Sequence, residues 1–415
     1  MYRTWLSTHY YFLATGILLF STSVALAADN NWNVSVGDWS DTNPCPWDTG
    51  IEPDTSTIAY IQNSGTANLT HNGEVCKSLY VGGSDTGTVQ MNGGSLSMEN
   101  LYDGYLGTGT FTQFDGTNTV SSTLYIGNHG GNGIYNLMGG TLITKSISIY
   151  SASFGNTFNF GGGTLEASGN FSTGLLITFT GTGSNSTIDT SGYLIKLYGD
   201  MSGSGSLNKD GTGTLQLIGN NVSYSGDINV NAGTLEILKK GYTGLVTINN
   251  GGRFGGSGFG SISQIIVNSG GHIYARAYQP DIGTLSLTGN LTLNSGAVLE
   301  YDLSRNYLGS DKISLTSSTL FLHGQQFSDF IFTPDSSFGP GIYTLIDAGD
   351  IQGSLGGNLT GTIKGLQSSL SISGNDIILS VVPEPATMAL LSAGLLCLFI
   401  GNLYNRKRYL PGFYC

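Results

Sequence analysis

The chain has 415 residues, of which 64 are Gly, 10% are charged and 11% aromatic, and its net charge is −12. Glycine at this frequency without a strict triplet excludes collagen, and it disfavours a helical fold because Gly is costly in helix interiors. The aromatic and aliphatic content argues against disorder. The tail holds three bases, Arg406, Lys407 and Arg408, and the leader holds Arg3, so the body is more acidic than the whole chain. An acidic body without a basic stripe disfavours nucleic acid and anionic membrane surfaces as partners.

Residues 1–27 read as a secretory signal. Arg3 comes early, an apolar core runs from Tyr10 to Phe20, and Ala25-Leu26-Ala27 precedes Ala28. A basic start, an apolar run and an Ala-x-Ala site predict cleavage after Ala27 and a Sec-type export machinery as partner. The apolar run is too short to span a membrane core of about 30 Å.

Residues 28–66 form a Trp-rich segment with Trp32, Trp39 and Trp47, three of the four Trp in the chain. A repeat array exposes its apolar interior at each end, so its first unit has to cover it. The spacing predicts a buried cap; the alternative is an exposed platform that stacks on sugars. Cys45 and Cys76 are the only Cys of the body. An exported compartment permits a disulfide between them, closing a loop of about 30 residues and stabilising by roughly 3–4 kcal/mol. The alternative is two unpaired thiols, because Cα separation is not legible in sequence.

Residues 67–280 carry the repeats. Gly87-Thr88-Val89-Gln90-Met91-Asn92-Gly93-Gly94 returns around Phe111, around Tyr135 and around Phe158, so the anchors step by 22, 24 and 23 residues. A fixed period of this length marks a solenoid. Apolar residues alternate within each copy, as in Tyr135 and Leu137 or Phe158 and Phe160, which predicts strands with one buried face. Gly pairs mark the turns between them. Short strands are predicted between the copies at Leu79–Gly82, Tyr105–Gly107, Leu124–Gly127 and Ile147–Ile149.

A second repeat type spans about 203–238. It reads Leu207-Asn208-Lys209-Asp210-Gly211-Thr212-Gly213-Thr214-Leu215-Gln216-Leu217, then Gly219-Asn220-Asn221, Tyr224-Ser225-Gly226 and Asn231-Ala232-Gly233-Thr234-Leu235. This run resembles the autotransporter-associated β-strand repeat. The resemblance implies rungs of a right-handed β-helix. Weaker relatives follow at Val246–Gly252 and Ile265–Gly271. A change of packing is expected near Tyr278–Asp281, where Pro280 interrupts the rungs. Residues 281–381 read as a C-terminal β cap, with Pro334 and Pro340 marking a loop between Phe327 and Pro340.

Residues 382–408 end the body, and 409–415 form a tail. Pro383-Glu384-Pro385 is followed by an apolar stretch over 387–403 and by Arg406-Lys407-Arg408. This segment resembles the PEP-CTERM sorting signal of Gram-negative bacteria, although that family usually ends at the basic cluster. The resemblance implies an exosortase-type membrane protease as partner. An apolar helix of about 17 residues reaches about 25 Å, a marginal span, and basic residues hold its far end on the cytoplasmic side. A transient anchor in the inner membrane is expected.

No catalytic or metal-ligating constellation emerges, and no cofactor is expected. His71, His129, His272 and His323 lack a partner at metal-ligand spacing. Acids Asp281, Glu300, Asp302, Asp311 and Asp347, with Arg276 and Arg305, are the nearest approach to the clustered acids of a polysaccharide lyase or hydrolase. The expected fold is all-β, a parallel β-helix (β-solenoid) with a C-terminal apolar sorting helix. The expected function is an exported structural or adhesive protein of the cell envelope or extracellular matrix, secreted or at the cell surface, and not an enzyme. The alternatives are a β-helical carbohydrate-active enzyme and a carbohydrate-binding module, with extracellular polysaccharide as the ligand class left open.

Overall fold

The computed structural model describes residues 27–149, 155–181, 185–221, 223–239, 241–256, 262–275, 283–305 and 309–383. Their strands pair in parallel from one coil to the next, the pattern of a β-solenoid. The repeat anchors fall into register as their spacing requires. Val89 faces Phe111, Phe111 faces Tyr135, and Tyr135 faces Phe158. All four are buried. Alternation supplies the second interior column, Leu69, Met91, Gln113, Leu137, Phe160 and Phe179. Burying an apolar residue of this size contributes about 1.5–3 kcal/mol, and the column repeats that gain on each of these coils except that of Gln113.

The rings add directional contacts. Phe111 and Tyr135 stack with centroids 5.0 Å apart, and Tyr135 and Phe158 at 5.5 Å. Further along, Tyr224 and Tyr242 stack at 5.4 Å.

Corners are set by glycine. Gly94, Gly116, Gly140 and Gly163 have φ of +68°, +80°, +66° and +70°. A Cβ on Gly94 would lie 2.0 Å from the carbonyl oxygen of His71 in the preceding coil. Two coils therefore approach closely at a corner where the chain is also left-handed, and both demands are met by the absence of a side chain.

Polar residues besides Gln113 also stand in interior columns. Asn118 lies between Leu96 and Leu142, and its amide donates to the Tyr135 hydroxyl at 3.0 Å. Lys209 lies between Ile188 and Val230. Asp103 lies between Val81 and Ile126. At the turns an amide ladder runs up the later coils, Asn231 donating to Asp210, Asn249 to Asn231, Asn268 to Asn249 and Asn294 to Asn268, at 2.8–2.9 Å.

The resembling repeat lies in register with its neighbours. Leu215 faces Leu235, Val246 faces Ile228, and Ile265 faces Val246. From Phe171 onward a second sheet forms, with Phe171, Ile195, Leu215, Leu235, Phe254, Ile273, Leu299 and Phe330 in one column.

Two local expectations are corrected. Tyr105–Gly107 is a bend; the strand is Leu101–Asp103, and Leu101-Tyr102-Asp103-Gly104 is the copy of Leu79-Tyr80-Val81-Gly82. A buried acid in the place of Val81 hides the repeat. The region Phe327–Pro340 is not all loop, since Phe330–Pro334 pairs in parallel with Leu299–Leu303. Parallel pairing continues to Ser354, because Gly341–Ser354 also runs parallel to Lys312–His323. Antiparallel pairing enters with the same strand, which meets Asp376–Val382, and with Thr360–Ile363 against Leu366–Ser373. The packing change expected at Tyr278–Asp281 falls outside the described residues.

Candidate functional site

An exposed set of tryptophans would make a sugar platform. Trp32, Trp39 and Trp47 are 1%, 0% and 2% exposed. Trp47 packs edge-on against Trp32 at 5.1 Å and against Trp39 at 4.8 Å, and its Nε1 donates to the Trp39 carbonyl at 3.0 Å. Stacking on a sugar needs a free ring face, so this cluster is core and not the platform of a carbohydrate-binding module. Cys45 and Cys76 are both free thiols, Cys76 buried and Cys45 half-buried, so the disulfide between them is not formed in this structure. Burial pushes the Cys76 thiol well up, which keeps it protonated and unreactive.

The acids divide by location. Arg276 and Asp281 lie outside the described residues. Asp311 is buried and accepts the backbone N–H groups of Gly283 and Asp302 at 2.7 and 2.8 Å, a structural clip. Asp347 pairs with Lys312 at 3.0 Å. Glu300 and Asp302 share the outer face of Val298–Leu303, as strand alternation requires. Arg305 does not join them. It lines an open depression of about 410 Å³ with Ser304, Lys312, Ile342 and Tyr343.

Glu300 instead meets residues that sequence proximity did not suggest. Arg253 and His272 occupy one outward column of the second sheet, and Tyr274 and Glu300 occupy the adjacent one. The Arg253 Nε donates to Glu300 Oε1 at 2.9 Å, and its second nitrogen binds Oε2, a two-pronged pair. His272 Nδ1 is 2.8 Å from Oε1. The Arg253 guanidinium also lies over the Tyr274 ring, 4.2 Å from its centroid. The Tyr274 hydroxyl donates to Glu236 Oε1 at 2.7 Å, and Gln216 donates to Oε2 at 2.6 Å. Gly255 makes room for this: a Cβ there would meet the Tyr274 ring at 2.3 Å. A glycine within a strand is the one sequence signal for the cluster, because it marks a place where another side chain lies over the backbone.

The electrostatics follow. Burial raises the Glu300 pKa, but the Arg253 hydrogen bonds and charge and the His272 contact outweigh it, and the net shift is downward. A carboxylate held ionised with both oxygens engaged cannot deliver a proton, and general acid catalysis needs the opposite shift. Glu236 likewise has both oxygens engaged. The arrangement locks adjacent coils and leaves no free acid pair in this cluster.

Other histidines are dispersed. His71 sits 3.3 Å from Asp38, His129 packs on Tyr105, and His323 Nδ1 is 3.1 Å from the Leu293 carbonyl. Among the described residues no group of three or more His, Cys, Asp or Glu is placed to hold a metal ion. Pro383 closes the described residues. Glu384, Pro385, Arg406, Lys407 and Arg408, the span 387–403 and the leader through residue 26 lie outside them.

Two families match parts of the chain. Residues 207–237 match the passenger-associated-transport-repeat, and residues 381–407 match the PEP-CTERM protein-sorting motif. The first covers the coil that holds Lys209; the second is a substrate signal for exosortase-type processing. No curated protein matches the chain. The chain is an exported β-helical protein.

Proposed function

We propose that this protein is a structural or adhesive rod of the cell envelope or extracellular matrix of a Gram-negative bacterium, secreted or held at the cell surface. In this reading residues 1–27 engage a Sec-type export machinery and are removed. The apolar segment 387–403 then stalls in the inner membrane, with Arg406, Lys407 and Arg408 on the cytoplasmic side. That leaves Pro383-Glu384-Pro385 on the outer side for an exosortase-type protease.

One observation carries the non-catalytic part of this reading: both Glu300 oxygens are engaged by Arg253 and His272. The two families matched, a repeat and a sorting motif, point the same way. The rod acts by length and surface. Ladders of Asn and Tyr line its outside, and a polar, repetitive face suits many weak contacts made in parallel with polysaccharide or with other rods.

The test is a glycan array probed with the purified protein, run beside an assay for reducing-sugar release. Binding without turnover, or neither, is expected. Release of sugar from any polysaccharide overturns the non-catalytic reading. For the address, deletion of Pro383–Cys415 is expected to shift the protein among inner-membrane, surface and medium fractions, and an unaltered distribution refutes the sorting role.

A further inference from the structure

A row of tyrosines runs up the outside of the first coils. Tyr60, Tyr80, Tyr102 and Tyr125 face one another in register on four successive coils. Their rings stack with centroids 4.9, 4.3 and 4.7 Å apart, and their planes lie 23°, 12° and 1° from parallel. All four are half-buried. Tyr105 stands edge-on to Tyr80 at 4.9 Å and to Tyr102 at 5.8 Å.

Packing alone does not require this chemistry. The interior stacks use Phe and Tyr interchangeably, as at Phe111, Tyr135 and Phe158. The outer row uses tyrosine on all four coils. The faces between neighbouring rings are closed to a stacking sugar, while all four residues keep part of their surface open to solvent. Centroid separations of 4.3–4.9 Å put each phenol ring in direct contact with the next one.

We propose that this ladder is a site of oxidative tyrosine cross-linking, in which neighbouring phenols couple into dityrosine and bond successive coils covalently. The co-reactant is a one-electron oxidant of the peroxidase class using hydrogen peroxide. Each of two phenols gives one electron to the oxidant and one proton to water. The two phenoxyl radicals join through ring carbons ortho to oxygen, and the hydrogen on each joined carbon moves through water to its phenoxyl oxygen, restoring both aromatic rings. Overall two tyrosines lose two protons and two electrons and gain one carbon–carbon bond, while one hydrogen peroxide becomes two water molecules. Burial and the neighbouring rings raise the pKa of Tyr60, Tyr80 and Tyr102, so each enters the step as a neutral phenol. The inference does not depend on the envelope role proposed above.

The experiment treats the purified full-length protein with peroxidase and hydrogen peroxide, then maps cross-linked peptides by mass spectrometry. Peptides joining Tyr80 to Tyr102 and Tyr102 to Tyr125 are expected, each lighter by two hydrogens. They should form within monomers, at a yield independent of protein concentration. Tyr102→Phe keeps the ring in the stack and removes one phenol; it should abolish both links while circular dichroism stays that of the wild type. Tyr198→Phe, at a residue 53% exposed, should leave them intact. Folded protein that forms no dityrosine overturns the proposal. So does dityrosine found only between molecules, rising with protein concentration and surviving Tyr102→Phe.

Discussion

Lys209 donates from Nζ to the carbonyl oxygen of Ala232 at 2.9 Å, which ties its coil to the next one. Two further bonds, to the carbonyls of Asp210 and Gly211 at 2.8 Å, use the remaining hydrogens of the ammonium. A cation in an apolar column is tolerable because all three of its donors are satisfied. This gives a physical reason for a lysine at that place in the matched repeat. The side chain crosses the core as an apolar stem, and its head pins two turns.

Lys209→Met should keep the stem and remove the pins. Three half-buried carbonyls lose a charged donor, so unfolding should become easier by about 1–3 kcal/mol, read from denaturant midpoints. Burial also lowers the Lys209 pKa to about 8, against the opposing charges of Asp189 and Asp210. An unfolded lysine titrates near 10.5. Between those values the unfolded chain binds the extra proton, so the wild type should gain stability relative to Lys209→Met as pH rises through that window.

Asp103 is the opposite case. It is fully buried between Val81 and Ile126, and the Phe111 backbone N–H is the one group near its carboxyl, too poorly aligned to count as a full hydrogen bond. Burial raises its pKa well above 3.8, and the nearby backbone of Phe111 only partly offsets this. In the unfolded chain the acid ionises above 3.8, while the folded chain holds its proton, so stability falls as pH rises through that window. Asp103→Val should therefore stabilise the protein at neutral pH. Its advantage should widen above pH 3.8 by about 1.4 kcal/mol per pH unit until the folded group ionises. Melting curves at acid and neutral pH that show a constant gap would contradict this.

The glycine corners separate two costs. Gly73 has φ +91° with open space around its missing Cβ, whereas Gly94 has φ +68° and the His71 carbonyl in the way. Gly73→Ala should cost only left-handed strain, about 1–2 kcal/mol. Gly94→Ala adds overlap with backbone of the neighbouring coil and should exceed about 3 kcal/mol. Equal losses in the two variants would show that the close approach is not a constraint.

The interior columns were legible in the sequence wherever the buried residue was apolar, as the register of Val89, Phe111, Tyr135 and Phe158 demonstrates. They were illegible where a polar residue took the place. Asp103 stands where the other copies have the apolar Val81 and Ile126, and Tyr105-Leu106-Gly107 imitated the motif just after the true copy. The outer cluster was hidden for a different reason. Gln216, Glu236, Arg253, Tyr274 and Glu300 come from five separate coils of unequal length, so no sequence spacing unites them. Glu300 and Asp302 share a face because alternate positions on one strand fix that much. Partners across coils depend on loop lengths, which periodicity does not reveal.

Arg253 holds both oxygens of Glu300, and its own side chain is 37% exposed. Arg253→Met should therefore destabilise by about 1–2 kcal/mol, less than a fully buried pair, because solvent screens the guanidinium. The depressed Glu300 pKa gives stability that is full above its unfolded value of 4.5 and is lost as pH falls through the folded pKa. Glu300→Gln should flatten that acid limb. It should leave sugar-release assays at the wild-type baseline, because a carboxylate with both oxygens engaged has no free position for substrate. A variant that changed the acid limb and also abolished a measurable turnover would instead make Glu300 catalytic, and the clamp of Arg253 and His272 would then have to open when substrate binds.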